Sequence, residues 1–220
     1  MTQWRVIEAE RRTDHCPIAL ELRDEFTGGA LIGDAQVALD IEQAPTVWAP
    51  SDRKPVRTSS GLFVFTGLGR SVDPVVMPSF RVRVRITATY YRPRYRTTAD
   101  GLEFDVLTYN DAMPPASLPL MPEMVLMLPT SSYPFGGYVR VLRGRILDPL
   151  GDPVADALID ADGVERVMSD ARGGFCLPLR WQAPGAFVAV TVDHPRRGLS
   201  AVAAFSLPAD LIGNHDITVT

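Results

Sequence analysis

Arg143-Gly144-Arg145-Ile146-Leu147-Asp148-Pro149-Leu150-Gly151, followed by Asp156-Ala157-Leu158-Ile159 and then Gly173-Gly174-Phe175-Cys176-Leu177, reads as strand, turn, strand, turn, strand. Alternating apolar residues supply the strands and Asp, Gly and Pro supply the turns. The same programme stands earlier in the chain as Leu22-Arg23-Asp24-Glu25-Phe26-Thr27-Gly28-Gly29, then Asp34-Ala35-Gln36-Val37, then Ser60-Gly61-Leu62-Phe63-Val64-Phe65. Each copy continues into an alternating run, Phe80-Arg81-Val82-Arg83-Val84-Arg85 in the first and Ala186-Phe187-Val188-Ala189-Val190-Thr191-Val192 in the second. Two copies of one β programme predict two similar all-β units.

Working outward, helical periodicity is nearly absent and turn residues recur about every eight positions, the cadence of a β-sandwich. Strands are expected in the first copy at 18–23, 36–40, 56–59, 62–66, 80–89, 91–97 and 102–108. In the second they are expected at 138–147, 157–162, 165–169, 175–181, 186–194, 200–207 and 216–220. The single helix candidate is 3–12. Between the copies, Pro114, Pro115, Pro119, Pro122, Pro129 and Pro134 forbid a regular helix and favour extended backbone. The expected organisation is therefore a β-sandwich over 1–112, a proline-rich apolar connector over 113–136 and a second β-sandwich over 137–220. Leu118, Leu120, Met121, Met124, Leu126 and Leu128 make that connector too apolar for water, so it either packs on its own domains or docks on a partner.

The residues 143–148, the turn Gly151-Asp152-Pro153-Val154-Ala155-Asp156-Ala157 and the turn Ser169-Asp170-Ala171-Arg172-Gly173-Gly174-Phe175 resemble a carboxypeptidase regulatory-like domain, one of the transthyretin-like β-sandwiches. The resemblance implies two tandem transthyretin-like or immunoglobulin-like sandwiches and says nothing of chemistry. The first copy departs from the pattern, with Gly29-Ala30-Leu31-Ile32 at the first turn and an insertion over 42–54. The leader Leu128-Pro129-Thr130-Ser131-Ser132-Tyr133-Pro134-Phe135 is similar to chains of phage-tail-like contractile injection clusters. That second likeness implies a structural or adaptor protein of a particle.

Composition narrows the function further. A net charge of -4 disfavours a nucleic-acid partner, although the cations are almost all arginine, Lys54 being the only lysine. The first residues carry acids among bases and no apolar run, which predicts cytoplasmic synthesis without a signal peptide, and no stretch is apolar enough for membrane insertion. Cys16 and Cys176, one per copy, lack disulfide or metal spacing and are expected reduced.

No catalytic constellation assembles, and no catalytic residue, metal ligand or cofactor is expected. The hydroxyisourate-hydrolysing relatives of transthyretin end in Tyr-Arg-Gly-Ser, whereas this chain ends Asp216-Ile217-Thr218-Val219-Thr220. Tyr90, Tyr91, His194 and His215 match the residue types of an intradiol dioxygenase iron site but not its spacing. His194 is expected in a solvated turn, and Cys176 on a core strand has no neighbouring base. Asp160 and Asp162 share a strand face without the further oxygens that calcium needs. The candidate interaction residues are Arg81, Arg83 and Arg85 on one strand face, Tyr91, Arg92, Arg94 and Tyr95 in the aromatic and basic run after it, and Met124, Leu126 and Leu128 of the connector. The arginine ladder has a bland reading, pairing with Glu21 and with the acids of 102–105. The expected partners are other protein subunits, with a carbohydrate or peptide ligand as the competing reading.

Overall fold

A computed structural model describes residues 15–95, 100–114, 121–194 and 196–220. The helix candidate at 3–12 lies outside these residues. In chain order the first strands are β1 (Ala19–Asp24), β2 (Ala35–Ala44), β3 (Val47–Pro50), β4 (Val56–Arg57), β5 (Phe63–Val64), β6 (Ser79–Ala88), β7 (Tyr91–Pro93), β8 (Leu102–Leu107) and β9 (Glu123–Pro129). The rest are β10 (Val141–Leu147), β11 (Leu158–Ala161), β12 (Glu165–Met168), β13 (Gly174–Pro178), β14 (Phe187–His194), β15 (Leu199–Ser206) and β16 (Asn214–Thr218). Ala209–Leu211 is a single 3-10 turn. The protein is all-β, and among the described residues no helix is long and apolar enough to cross a membrane.

Among the described residues the strands form four sheets in the orders β4-β5-β1-β9-β7, β3-β2-β6-β8, β13-β10-β16 and β12-β11-β14-β15. The repeat seen in the sequence is a repeat of topology. β1 pairs antiparallel with β5 and parallel with β9, as β10 pairs antiparallel with β13 and parallel with β16. β2 lies between β3 and β6 with β8 beyond, as β11 lies between β12 and β14 with β15 beyond.

Two separate apolar clusters fill the spaces between sheets. Val82, Val84 and Ile86 of β6 join Leu20, Leu39, Phe65, Val106 and Met127 in the first. Val188, Val190 and Val192 of β14 join Leu142, Ile146, Ile159, Phe175 and Ile217 in the second. Alternation makes this possible, because residues two apart share a sheet face and their neighbours point away.

Of the two alternatives for the apolar connector, its 123–129 part takes the first and packs on its own half, as a strand that the sequence reading did not expect. Glu123–Pro129 is strand β9, in parallel register with β1 from Leu20 opposite Glu123 to Asp24 opposite Met127. Pro122 and Pro129 bound this strand and do not prevent it, since proline costs a ladder hydrogen bond only inside a strand. The rest of the leader ties the two halves together. Tyr133 donates its hydroxyl to the buried Asp24 at 2.9 Å, and Phe135 packs against both clusters. Phe26 meets Tyr133 and Phe135 edge-on, with ring centroids 5.6 and 5.0 Å away. Arg180 from the second half lies 4.0 Å over the Phe26 ring and donates to the Phe26 carbonyl at 3.0 Å. Its guanidinium is steered by Glu165, which accepts two hydrogen bonds at 2.7 and 3.0 Å. Arg166 and Glu25 form a further ion pair across the same junction.

The inserted segment 42–54 is also ordered. Strand β3 folds back on β2 with Trp48 opposite Glu42.

Candidate functional site

On β9, Val125 and Met127 point into the first core, so Met124 and Leu126 point out of that sheet. On the second half, Ile159 and Val192 point into the core, so Leu158 and its cross-strand neighbour Asp193 point outward. These two outward faces enclose a cleft of about 550 Å3. Arg92, Pro93, Arg94 and Tyr95 form one side of it, with Arg85, Ile86 and Thr87 of β6 behind. Asp156, Met168 and Arg196 form the other, and Asp100 joins the rim.

The charges are largely paired. Arg196 donates to Asp100 at 2.7 Å and to Asp156 at 2.9 Å, and Arg92 lies 3.5 Å from Asp156. Tyr95 accepts a hydrogen bond from the Ile86 amide at 3.0 Å, and burial raises the pKa of its hydroxyl, which keeps it a neutral phenol. The cleft thus offers guanidinium groups, carboxylates, a phenol and an apolar floor of thioethers and leucines. That set of groups suits non-covalent recognition.

Of the residues singled out in the sequence, Arg85, Arg92, Arg94, Tyr95, Met124 and Leu126 come together here. Arg96 lies outside the described residues. The other candidates go elsewhere. Tyr91 is a core residue whose hydroxyl accepts from the Ile32 amide at 3.0 Å and donates to Asp24 at 3.3 Å. Leu128 is fully buried, so it is no contact surface.

Arg81 and Arg83 belong to an internal charge network on the outer face of β6. Asp40, itself buried, accepts from Arg83 at 2.8 Å and from Arg85 at 2.7 and 2.8 Å. Burial alone would raise the Asp40 pKa, but the hydrogen bonds from Arg85 and Arg83 outweigh it and hold the carboxyl below its ordinary value. Arg81 reaches Glu42 at 2.9 Å and also pairs with Glu103, while Trp48 lies 5.0 Å from the Arg83 guanidinium. Of the acids expected to pair with the ladder, Glu103 and Asp105 do so, whereas Glu21 pairs with Arg23.

His194 is buried, not solvated as the turn reading expected, because it ends β14 with its side chain on the core side. Burial, helped by Arg196, pushes its pKa down. Neither Cys16 nor Cys176 is in a disulfide, and burial pushes the Cys176 pKa up. Asp160 accepts from the Gly163 amide at 2.5 Å and serves the turn.

The sequence reading missed Asp100, Asp156, Leu158, Met168 and Asp193, because the cleft exists only once both halves have folded. It also missed a surface patch. Val72, Val75, Val76 and Met77 stand out into solvent beside Leu107 and Met113, with Val72 99% and Val76 80% exposed. The loop is pinned, since the Ser71 amide donates to the Tyr109 carbonyl at 2.8 Å, the Thr108 amide to the Pro78 carbonyl at 3.0 Å and the Thr108 hydroxyl to the Pro74 carbonyl at 3.1 Å. The run Val75-Val76-Met77 between Pro74 and Pro78 was the available signal.

No protein-family model and no curated protein matches this chain. Among solved structures, the Bacillus anthracis TIE protein aligns with a TM-score of 0.29 and 11% identity, covering 94% of this chain and 34% of that one. This chain thus spans about a third of that protein's length.

Proposed function

We propose that this protein is a non-enzymatic structural or adaptor component of a larger protein assembly. The observation that carries the reading is the pinned apolar loop, whose exposed valines and methionine lie between residues fixed by hydrogen bonds, the Ser71 amide on the Tyr109 carbonyl and the Pro74 and Pro78 carbonyls on Thr108. Large apolar side chains exposed together on one loop mark a protein contact surface. Two sandwiches of the transthyretin-like or immunoglobulin-like kind, locked by the 128–135 leader, suit a rigid spacer between subunits. The likeness of that leader to contractile injection chains makes such a particle the concrete candidate. The test is sedimentation of an extract from the native source. The wild-type chain is expected in a high-mass fraction, and Val75→Ser, Val76→Ser and Met77→Ser together are expected to move it to the light fraction without loss of folding. A wild-type chain that sediments only as a free monomer sinks the reading.

The second reading is a carbohydrate- or peptide-binding module. The cleft favours it, because a concave site between two folded units is where small ligands most often bind.

A further inference from the structure

We propose that the cleft binds an extended segment of a partner protein in which one large apolar side chain stands between an acidic and a basic residue; this deepens the second reading above and rests on it. Two observations select that ligand. The first is the floor, with Met124 and Leu126 on one wall and Leu158 and Met168 on the other. Flexible thioethers among leucines adapt to an apolar side chain of irregular shape. The second is the charge left over after the lining has paired internally. Arg196 and Arg92 are engaged by Asp156 and Asp100, and Arg85 by Asp40. Among the described residues, Arg94 and Asp193 have no ion pair and no side-chain hydrogen bond, although both line the cleft.

Those two residues stand on opposite walls. Arg94 follows β7 of the first half, and Asp193 lies on β14 of the second, opposite Leu158 in register. A guanidinium without a counter-ion grips a carboxylate through two parallel hydrogen bonds, and a free carboxylate accepts from an ammonium or guanidinium group. A ligand with both charges and an apolar middle satisfies all three features. A neutral sugar leaves both charges unmet, and a phosphate backbone meets Asp193 with repulsion. The volume of about 550 Å3 admits an anchor and its neighbours, not a folded domain.

Fluorescence anisotropy on the full chain tests this with labelled probe peptides built around Glu-Leu-Lys and Lys-Leu-Glu, and with versions carrying Gln for Glu or for Lys. One order is expected to bind, and each neutral replacement is expected to weaken it about tenfold or more. Arg94→Gln should erase the preference for Glu over Gln and keep that for Lys, while Asp193→Asn should do the reverse. Peptide binding that ignores both peptide charges, or that neither variant alters, overturns the inference and leaves a peptide-binding cleft standing. Failure of every probe peptide at millimolar concentration overturns the inference together with the reading beneath it. The peptide comparisons on the unaltered chain keep the test decisive even where a variant folds poorly.

Discussion

Gly144→Ala is expected to be among the most damaging single-methyl additions in the protein. Gly144 lies on β10, opposite Phe175 of β13 on one side and His215 of β16 on the other. A Cβ placed there would sit 2.0 Å from the His215 carbonyl oxygen and 2.8 Å from two ring atoms of Phe175. The ring can tilt, but the carbonyl is part of the backbone ladder and moves only with its strand. Overpacking a close-packed interior costs about 1 to 3 kcal/mol where side chains can yield, and a fixed backbone atom puts this site at about 3 kcal/mol. For a cooperative unit the size of the second core and its sheets, that lowers Tm by roughly 12 to 24 °C. Scanning calorimetry of wild type and variant reads the shift. Gly137→Ala is the control, since nothing lies within 4 Å of its Cβ position, and it should be neutral or slightly stabilising. Phe175→Leu in the Gly144→Ala background should recover less than half of the loss, because the carbonyl contact remains. A Gly144→Ala loss below about 0.5 kcal/mol would refute the pairing of β10 between β13 and β16, since no core built in that register has room for the methyl group.

Arg83→Gln with Arg85→Gln should cost about 3 to 5 kcal/mol, because it leaves the Asp40 carboxylate buried without a counter-ion, whereas Arg81→Gln at the wetter end should cost about 0 to 1 kcal/mol; urea titration separates the two. Acidification should remove stability in two windows, read as Tm against pH. The folded pKa of His194 lies below its ordinary 6.5, so the unfolded chain takes the proton first; its contribution is full above 6.5, falls as pH drops from there, and is absent in His194→Gln. The Asp40 pKa lies below its ordinary 3.8, so its contribution is present above 3.8 and is lost as pH falls through the lower folded value. Residues 137–220 alone should melt cooperatively by far-ultraviolet circular dichroism, since every buried member of the second cluster falls between Leu142 and Val219; a disordered fragment would mean that the leader and Arg180 contacts are indispensable to that core.

The alternating runs were legible because alternation is a local property. Val82, Val84 and Ile86, and Val188, Val190 and Val192, declare their buried face within six residues, and the structure buries each of them. Charge pairing was less legible. Arg81, Arg83 and Arg85 look alike along the strand, yet only Arg83 and Arg85 converge on Asp40, because β2 sets Asp40 directly opposite Arg83. The cleft was half legible: the run 92–95 and the outward residues of β9 were visible as candidates, but no local pattern says that Leu158 and Asp193 will face them from another sheet.

The misread connector shows where sequence periodicity stops being informative. An antiparallel partner is announced by a short turn, whereas a parallel partner arrives from a distance and carries no local sign. β9 meets β1 in parallel after two sheets' worth of chain, and β16 meets β10 in the same way. The repeat itself held the missing information. The second copy ends in a strand that returns beside its first, so the first copy required an equivalent strand after β8, and the next apolar stretch in extended, proline-bounded sequence is Glu123–Pro129. Carrying that strand into the first sheet has a functional consequence, because Val125 and Met127 are then fixed inward and Met124 and Leu126 are fixed outward. The connector residues Met124 and Leu126, too apolar for water as the sequence reading had it, give the cleft one wall of its apolar floor.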